Sequence, residues 1–375
     1  MKMFEQKILN ADDNFREVDN HLRERGVTKI FLVHGESMSK LKVGKYFAAL
    51  QNRCGIEVTS FKDFSPNPKY ESVLRGIKKF RAARYDMIIA VGGGSAIDVA
   101  KCIKLYAHAE PLTEKFIPEK SPAEIPLLVV PTTAGSGSES TRYAVIYFNG
   151  EKQSVTSSSC LPDAILFDPS TLSTLPPYTK KSALLDAISH AVESFWSVNS
   201  TEESIDFSRR ALEIIFANAD DYFLNTPKSF KPIMFAANLA GRAINITQTT
   251  AGHAMCYKLS TEYGIAHGHA AALCNAVLFP YMLEHLEDCV DSRGQTHLKK
   301  IFFAIASAMN CRTAEQATLI LPALLKKWNL NFSAETSDKK LRELSSAVHL
   351  PRLKNNPVAL SEKILYGLYE KILKG

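Results

Sequence analysis

The sequence predicts two domains: an N-terminal α/β domain with a Rossmann-like parallel sheet, and an all-helical C-terminal domain. Up to about residue 175, short and wholly apolar segments alternate with helical patterns, which is typical of a parallel sheet covered on both faces. After Leu175-Pro176-Pro177, strand-like segments stop and only helical patterns follow. We therefore predict one domain over residues 1–178 and a second over 179–375.

Apolar runs that end at turn residues define the first domain. The run 29–33 ends at Gly35, and the run 87–91 ends in three glycines. The strand-like runs 144–148 and 164–168 lie around a turn at Asn149-Gly150. Predicted strands are 29–33, 56–59, 87–91, 127–130, 144–148 and 164–168, with helices over 70–84 and 96–106.

Helical periodicity dominates the second domain, and proline-containing turns at Asn225-Thr226-Pro227 and Asn355-Asn356-Pro357 interrupt it. The predicted helices are 181–196, 204–223, 231–247, 270–286, 298–309, 314–328 and 360–373. No internal repeat is visible.

Composition excludes several classes of protein. The 375 residues are 46% hydrophobic and 22% charged, which excludes a disordered or collagenous chain. The net charge is +6, and its one basic cluster, within 75–84, is typical of a solvated helix face, so we predict no nucleic-acid partner. No apolar run approaches the ~18 residues that cross a bilayer, and the first residues lack a signal-like apolar segment, so we predict no membrane partner.

Seven cysteines occur without a C-x-x-C pair, which argues against a disulfide framework and a cysteine zinc site. A reducing cytoplasm fits this usage best. We expect Cys102, Cys256 and Cys274 to be small buried residues within helices.

A glycine turn, Gly92-Gly93-Gly94-Ser95, follows the strand 87–91 and opens the next helix. Glycines allow a tight turn and a close approach of phosphate, and a helix N-terminus favours an anion. Ser95 fits an N-cap, and Asp98 lies in the first turn. A plain strand–helix turn would explain this segment equally well if it stood alone, because it is not G-x-G-x-x-G.

A second loop rich in glycine and hydroxyl groups, residues 131–139, follows the next strand. Two such loops after parallel strands meet at the carboxyl edge of a sheet, so we predict dinucleotide binding there. The first strand is followed by Gly35 and Glu36. Gly35 at the position that discriminates between cofactors would admit NADPH, whereas Glu36 would favour NADH, so both remain open.

One aspartate and three histidines predict a metal site. Asp186 and His190 lie four residues apart on a predicted helix and share a face. His253 and His267 lie in segments of small and polar residues that cover little core. Such a donor set suits Fe²⁺ or Zn²⁺, although each histidine by itself could equally be a packed core residue.

Several long motifs in register resemble the iron-containing, or group III, alcohol dehydrogenases. They cover most of the chain, from about residue 29 to 285, and comprise the segments 92–101, 131–139, 168–176, 185–193, 252–253 and 267–268. The resemblance implies a divalent metal bound by Asp186, His190, His253 and His267. It also implies NAD(P)H, with its pyrophosphate at Gly92, Gly93, Gly94 and Ser95 and its nicotinamide nucleotide lined by Thr132, Thr133, Ser136 and Ser138. Position alone, beside these loops, adds Gly35, Asp98 and Lys152 to the candidate cofactor residues.

The implied reaction is a hydride transfer between a nicotinamide and a small aldehyde or alcohol whose oxygen faces the metal. Many family members carry a further histidine four residues after the third ligand. Here that residue is Tyr257, which makes Tyr257 the first candidate proton relay and His269 a weaker one.

Within the family, segments 64–68, 140–155, 196–204 and 243–258 resemble the phosphonoacetaldehyde reductases of phosphonate biosynthesis, which form 2-hydroxyethylphosphonate. A phosphonate needs cations near the metal. Arg142 and Lys258 are candidates, and Lys152 could serve there, hold the fold or bind the cofactor. Each could equally be a surface charge.

Other interpretations stay open. The same fold could serve another small aldehyde, a polyol, or a lyase resembling dehydroquinate synthase. A non-catalytic nucleotide-binding protein is an alternative of another class, and a helical metal-binding interaction module leaves the glycine loops unexplained. Relatives commonly form dimers, so a homodimer is possible.

Overall fold

The computed structural model describes residues 6–110, 112–115, 117–348 and 353–374. The chain divides into two compact units. The first comprises Met1–Thr133 and Gly137–Leu175, and the second comprises Ala134–Ser136 and Pro176–Gly375. The division falls between Leu175 and Pro176, with Ala134–Ser136 grouped with the second unit, and the domain boundary after residue 178 stays a prediction.

A parallel sheet of six strands forms the centre of the first unit, in the order β1-β8-β5-β4-β2-β3. Residues of β4 and β5 are buried along their whole length, as apolar strands covered on both faces must be. The α/β fold class is thus confirmed. The strands are β1 (Lys7–Asn10), β2 (Lys29–His34), β3 (Glu57–Phe61), β4 (Met87–Gly92), β5 (Leu127–Pro131), β6 (Tyr143–Phe148), β7 (Glu151–Thr156) and β8 (Ala164–Phe167).

Strands β6 and β7 form a separate antiparallel hairpin. Asn149 and Gly150 both have positive φ, 50° and 79°, which the tight turn between them requires. The sequence placed this turn correctly but missed β7, because Glu151–Thr156 is mostly polar. β1, at the edge of the main sheet, was also missed because only four residues form it.

Helices surround the sheet of the first unit and make up nearly all the regular structure of the second. Their bounds are α1 (Arg16–Glu24), α2 (Lys42–Ala48), α3 (Leu50–Cys54), α4 (Tyr70–Arg81), α5 (Gly94–Leu105), α6 (Pro177–Trp196), α7 (Glu202–Phe223), α8 (Pro227–Thr247), α9 (Ala251–Tyr263), α10 (His267–Glu284), α11 (Gly294–Ala308), α12 (Ala314–Thr318), α13 (Ile320–Lys327), α14 (Asp338–Ser346) and α15 (Glu362–Lys374).

The helices of the second unit agree with the predicted pattern, with three corrections. The helix predicted over 314–328 is two short helices, α12 and α13, which meet at Leu319. The polar segment around His253 forms the helix α9, although its small residues gave no apolar face to detect. α14 was not predicted either, because its mean hydropathy is low.

All seven cysteines are free, and Cys102, Cys256 and Cys274 are buried within helices as expected. Among the described residues, none of the helices has the length and apolar character needed to span a bilayer.

Candidate functional site

Helix α6 presents two of the predicted metal ligands, Asp186 and His190, one turn apart and both buried. His253 lies in the first turn of α9, and His267 is the first residue of α10. The second unit therefore brings residues from three helices to one place.

The donor atoms of these four residues converge on Asp186. Its Oδ1 lies 3.4 Å from Nε2 of His253, 3.9 Å from Nε2 of His190 and 4.0 Å from Nε2 of His267. Donors held about 2.1 Å from a tetrahedral metal ion lie roughly 3.4 Å apart, so the spacing fits a transition-metal site that closes slightly on the ion. Asp186, His253 and His267 form the tightest group, with donor atoms within 4.8 Å of one another.

Three buried atoms of these residues have no hydrogen-bond partner, namely Oδ1 of Asp186, Nε2 of His253 and Nδ1 of His190, and the first two face each other. Buried polar atoms normally have a hydrogen-bond partner. The unpartnered Oδ1 of Asp186 and Nε2 of His253 are therefore suited to bind a cation. Close helix packing holds the donors in position. A Cβ on Gly268 would lie 2.1 Å from the carbonyl oxygen of Ser182 and 2.5 Å from Cβ of Asp186, so only glycine lets α10 pack here against α6.

Burial and charge oppose each other in setting the pKa values. Burial disfavours ionisation of Asp186, but the facing histidines, His190 foremost, hold the pKa of its carboxyl well below the usual value. Burial lowers the pKa of His190 to about 4, against the pull of Asp186. For His253, burial lowers the pKa as well, but Glu193 and Asp186 outweigh it and raise the pKa to about 9. A metal ion would therefore displace a proton from His253 on binding.

Glu193 contacts this site and was not among the predicted site residues. It is completely buried, and its Oε1 lies 2.5 Å from Nδ1 of His253. Burial would raise the pKa of its carboxyl, but the charge and hydrogen bond of His253 lower it to about 2. The signal was present, because Glu193 follows Asp186 by seven residues and so lies on the same face of α6.

The two candidate proton relays have different surroundings. The ring of Tyr257 stacks on that of His267, with centroids 5.4 Å apart and planes 8° apart. The side chain of His267 is 36% exposed, against 9% for Asp186 and 2% for His253, so the metal site opens on the side of Tyr257.

His269 instead has both ring nitrogens engaged. Its Nε2 lies 2.7 Å from the carbonyl oxygen of Leu330 and therefore carries the proton, so Nδ1 accepts from the hydroxyl of Tyr178 at 3.2 Å. The same Tyr178 hydroxyl accepts from the backbone N–H of Ala266 at 2.9 Å. These contacts fix the start of α10 beside His267.

The glycine turn of the first unit joins β4 to α5. Its helix begins at Gly94, with Gly93 at the N-cap position and no side-chain cap. The prediction that Ser95 caps this helix is thus wrong, because the helix begins one residue before it. The turn is tight. A Cβ on Gly92 would lie 2.5 Å from Cβ of Ala96, and one on Gly93 would lie 3.2 Å from Oγ1 of Thr133.

Two side chains of α5, Asp98 and Lys101, form hydrogen bonds with the loop after β5 and with the strand that follows it. Oγ of Ser138 donates to Oδ1 of Asp98 at 2.6 Å, and the backbone N–H of Val145 donates to Oδ2 at 3.0 Å. Nζ of Lys101 donates to the carbonyl oxygens of Ser138, Thr141 and Tyr143 at 2.7, 2.8 and 2.7 Å. Asp98 and Lys101 thus hold the backbone of the predicted nucleotide loop.

The two predicted cofactor loops are in contact with each other. Thr132 is buried, and its N–H donates to the carbonyl oxygen of Gly92 at 3.0 Å, so the two loops meet at the carboxyl edge of the sheet. Thr133 lies against Gly93, whereas Ser136 belongs to the second unit. Lys152 lies on β7, and its positive charge favours the ionised form of Asp98, which partly opposes the effect of burial on the pKa of Asp98.

Gly35 follows β2, and its N–H donates to the carbonyl oxygen of Val91 at 3.2 Å, which places it beside the glycine turn. The carboxylate of the exposed Glu36 forms an ion pair with Nζ of Lys62 at 3.1 Å. A cavity of about 500 Å³ lies at the ends of β2 and β3. Its lining residues are His34, Ser60, Phe61, Lys62, Asp63, Arg75 and Lys79.

The predicted substrate cations lie in different units. Arg142, in the first unit, is exposed, and its guanidinium lies 5.6 Å from the ring centre of Tyr143. Lys258, in the second unit, lies one residue after Tyr257, and its Nζ is 3.7 Å from Oε2 of Glu262. Both roles remain predictions.

A parallel sheet with a glycine turn at its edge, together with a cluster of histidines and an aspartate on helices, defines a nucleotide- and metal-dependent oxidoreductase. Family models agree. The model described as iron-containing alcohol dehydrogenase matches residues 5–169, and the model of the C-terminal part of that family matches residues 181–372. The chain therefore belongs to the iron-containing alcohol dehydrogenase family, whose members use NAD(P) and a divalent metal ion.

Relatives of known activity are similar over most of the chain. A phosphonoacetaldehyde reductase from Streptomyces viridochromogenes is 30% identical over 312 residues, which cover 79% of this chain and 78% of the relative. A sulfoacetaldehyde reductase from Bilophila wadsworthia is 28% identical over 278 residues, 72% of this chain and 71% of the relative.

Solved structures share the fold. An iron-containing alcohol dehydrogenase from Thermotoga maritima superposes with a TM-score of 0.82 at 25% identity, covering 99% of this chain and 98% of that one. A sulfoacetaldehyde reductase from Bifidobacterium kashiwanohense, solved with NAD+, gives a TM-score of 0.83 at 21% identity, with 99% of each chain covered.

Proposed function

We propose that this chain reduces a short anionic aldehyde, phosphonoacetaldehyde, to its alcohol, 2-hydroxyethylphosphonate, with NADH or NADPH and one divalent metal ion. The observation that carries the metal-dependent part is the convergence of the donor atoms of Asp186, His190, His253 and His267. The similarity to a phosphonoacetaldehyde reductase over 79% of the chain supports the substrate.

In this proposal, residues of the first unit bind the cofactor and residues of the second unit bind the metal ion. In the first, backbone N–H groups of Gly92, Gly93 and Gly94 and the hydroxyls of the loop after β5 bind the phosphates and ribose of the cofactor, with the loop held by Asp98 and Lys101. In the second, Asp186 and the three histidines hold the ion. When bound, the ion would polarise the carbonyl group as a Lewis acid, and the reduced cofactor would supply the hydride.

Gly35 leaves room for a 2′-phosphate, because no atom lies within 4 Å of the place where a Cβ would stand. Glu36 is engaged by Lys62. These two facts support use of NADPH, and a carboxylate at residue 35 would disfavour it.

The proposed function is tested by an anaerobic assay of the metal-free protein reloaded with Fe²⁺ or Zn²⁺. NADH and NADPH are each combined with phosphonoacetaldehyde, sulfoacetaldehyde and butanal. We expect reduction that is lost on chelation and restored by one equivalent of metal, with phosphonoacetaldehyde the best substrate. Nucleotide binding without turnover of any aldehyde would favour the non-catalytic alternative. The chain is also similar to sulfoacetaldehyde reductases. A preference for sulfoacetaldehyde would support the proposed reductase activity but would make the substrate a sulfonate instead of a phosphonate.

The anionic substrate predicts a selective effect of two cations. We expect Lys258→Met or Arg142→Met to raise KM for phosphonoacetaldehyde about tenfold and to leave KM for butanal nearly unchanged, because a charge-assisted hydrogen bond contributes roughly 1.5 kcal/mol or more. Lys363→Met, which removes an exposed lysine of α15, is the control. Equal effects on both aldehydes would show that neither cation binds the phosphonate.

Tyr257 is the proposed proton donor, because it borders the exposed side of the metal site while His269 has both nitrogens engaged. We expect Tyr257→Phe to lower kcat about 100-fold with metal content unchanged, since general acids contribute 10²–10⁴-fold. Steady-state kinetics at several pH values measure this. Tyr263→Phe, on the same helix, should leave kcat unchanged. A Tyr257→Phe enzyme within threefold of native kcat would exclude the tyrosine as the relay.

A further inference from the structure

The side chain of Glu193 is buried beside the metal site, yet its oxygens have no capacity left to bind an ion. Oε1 accepts from Nδ1 of His253 at 2.5 Å and from Nδ2 of Asn275 at 2.9 Å. Oε2 accepts from the N–H and hydroxyl of Thr250 at 2.7 and 2.9 Å, and from the N–H of His253 at 3.3 Å. Five donors thus satisfy one carboxylate in a fully buried place.

This network extends further into the core of the second unit. Nε1 of Trp196 donates to Oγ1 of Thr250 at 2.9 Å, and the hydroxyl of Thr250 then donates to Glu193. Trp196 is 1% exposed, and a Cβ on Gly252 would lie 2.7 Å from Oε1 of Glu193. The carboxylate therefore has one position, set by the last turn of α6 and the first turn of α9.

The bond to Glu193 decides which nitrogen of His253 is available to a metal. Because the carboxylate accepts at Nδ1, that nitrogen carries the proton, and the lone pair of the neutral ring is on Nε2. Nε2 is also the atom that lies 3.4 Å from Oδ1 of Asp186. A neutral His253 fixed in this way presents its lone pair to the proposed ion.

Charge gives a second, independent reason. Asp186 and Glu193 bring two negative charges into a buried site, and within the described part of the chain neither is paired with a lysine or arginine. With neutral imidazoles, a divalent cation would make the whole site electrically neutral. Two carboxylates thus favour an ion of charge +2 over an empty site.

We propose that Glu193 is a positioning residue of the metal centre, which acts through His253 by fixing its tautomer and by balancing the second charge of the ion. The proposal rests on the proposed function insofar as the four donors bind a metal. It assigns to Glu193 no contact with ion, cofactor or substrate.

The test measures metal affinity directly, by titrating metal-free protein with Zn²⁺ in competition with a chromophoric chelator. Glu193→Gln keeps the size of the side chain and removes its charge. We expect it to raise the Kd for Zn²⁺ about 10- to 100-fold, the usual effect of removing a partner of a metal-bound histidine. Binding of NADPH to the metal-free protein should not change.

Thr250→Val is the matched control, because it removes a hydrogen bond to the same carboxylate and leaves the charge. We expect it to lower the melting temperature of the metal-free protein while the Kd for Zn²⁺ stays within about threefold of native. Equal increases of Kd in both variants would show a merely structural role and overturn the proposal. An unchanged Kd in Glu193→Gln would overturn it as well. If the native protein binds no divalent ion, both the proposed metal-dependent function and the proposed role of Glu193 are overturned.

A measurement on the native protein decides the matter should Glu193→Gln not fold. Histidine ¹⁵N NMR of the zinc-loaded protein should show His253, assigned with the conservative variant His253→Gln, with a solvent-protected proton on Nδ1 and the metal on Nε2. The opposite tautomer, with Nδ1 unprotonated, would overturn the role of Glu193.

Discussion

Replacing Asp186 by asparagine should abolish stoichiometric metal binding and lower aldehyde reduction on the order of a thousandfold. Asp186 is the centre of the donor cluster, with Nε2 of three histidines within 4.0 Å of its Oδ1. An amide oxygen at that place carries no charge, and Lewis-acid stabilisation of a developing alkoxide amounts to several kcal/mol. Metal analysis of purified protein and the rate of NADPH oxidation measure the two effects together.

Asp220→Asn is the control for this substitution. Asp220 lies in the same unit but on the surface, where it pairs with Lys327 at 2.7 Å and is 76% exposed. Its replacement should leave metal content and rate unchanged, since exposed ion pairs contribute little. If Asp186→Asn instead retained one equivalent of metal and a rate within a few-fold of native, the donor cluster would not be the catalytic metal site.

The sequence predicted the main sheet and most helices because those elements carry their own signals. Strands β4 and β5 are apolar throughout, and the long helices of the second unit have a regular apolar period. Strand β7 was missed because its residues are polar, and α9 because its residues are small. In both cases the element lacks the apolar period by which the sequence reveals a strand or a helix.

The metal donors were predictable for a different reason. The spacing of Asp186 and His190 follows from the period of one helix, and His253 and His267 lie in segments of small and polar residues, to which the resemblance to a family added support. Glu193 lies on that same helix face, but only the folded chain shows that it reaches His253. The relation between α6 and α9 depends on tertiary packing, which one sequence does not encode in any local pattern.

Packing also separates the two candidate relays. Tyr257 was predicted because it occupies the place of a histidine that many family members carry, and His269 was the weaker candidate. The backbone carbonyl of Leu330, 61 residues away in the chain, engages the ring of His269, and no local pattern could have indicated that contact. Tyr257 is the proposed relay because both ring nitrogens of His269 are engaged, and only the folded chain shows these contacts.

The second large effect is expected in the first unit, where Lys101→Met should destabilise the chain by about 3–5 kcal/mol. Lys101 is 0% exposed and donates to three backbone carbonyls, those of Ser138 in the loop after β5, of Thr141 and of Tyr143 at the start of β6. Its charge also lowers the cost of burying Asp98, whose pKa burial raises. Methionine has a similar size but no donor, so three carbonyls would lose their partner, and Asp98 would keep only Lys152 as a nearby positive charge.

Urea denaturation of the metal-free protein measures this change in the free energy of unfolding, and titration with NADPH measures its effect on the cofactor loop. We expect weaker NADPH binding, because Ser138 and Thr141 are held by the same ammonium group. Lys104→Met is the matched control. Lys104 lies on the same helix, but its Nζ contacts one carboxylate, Asp163, at 3.3 Å, so a loss of about 1 kcal/mol is expected. Equal losses in both variants would mean that the three carbonyl contacts of Lys101 contribute no more than a single ion pair, and that the loop is held by other parts of the chain.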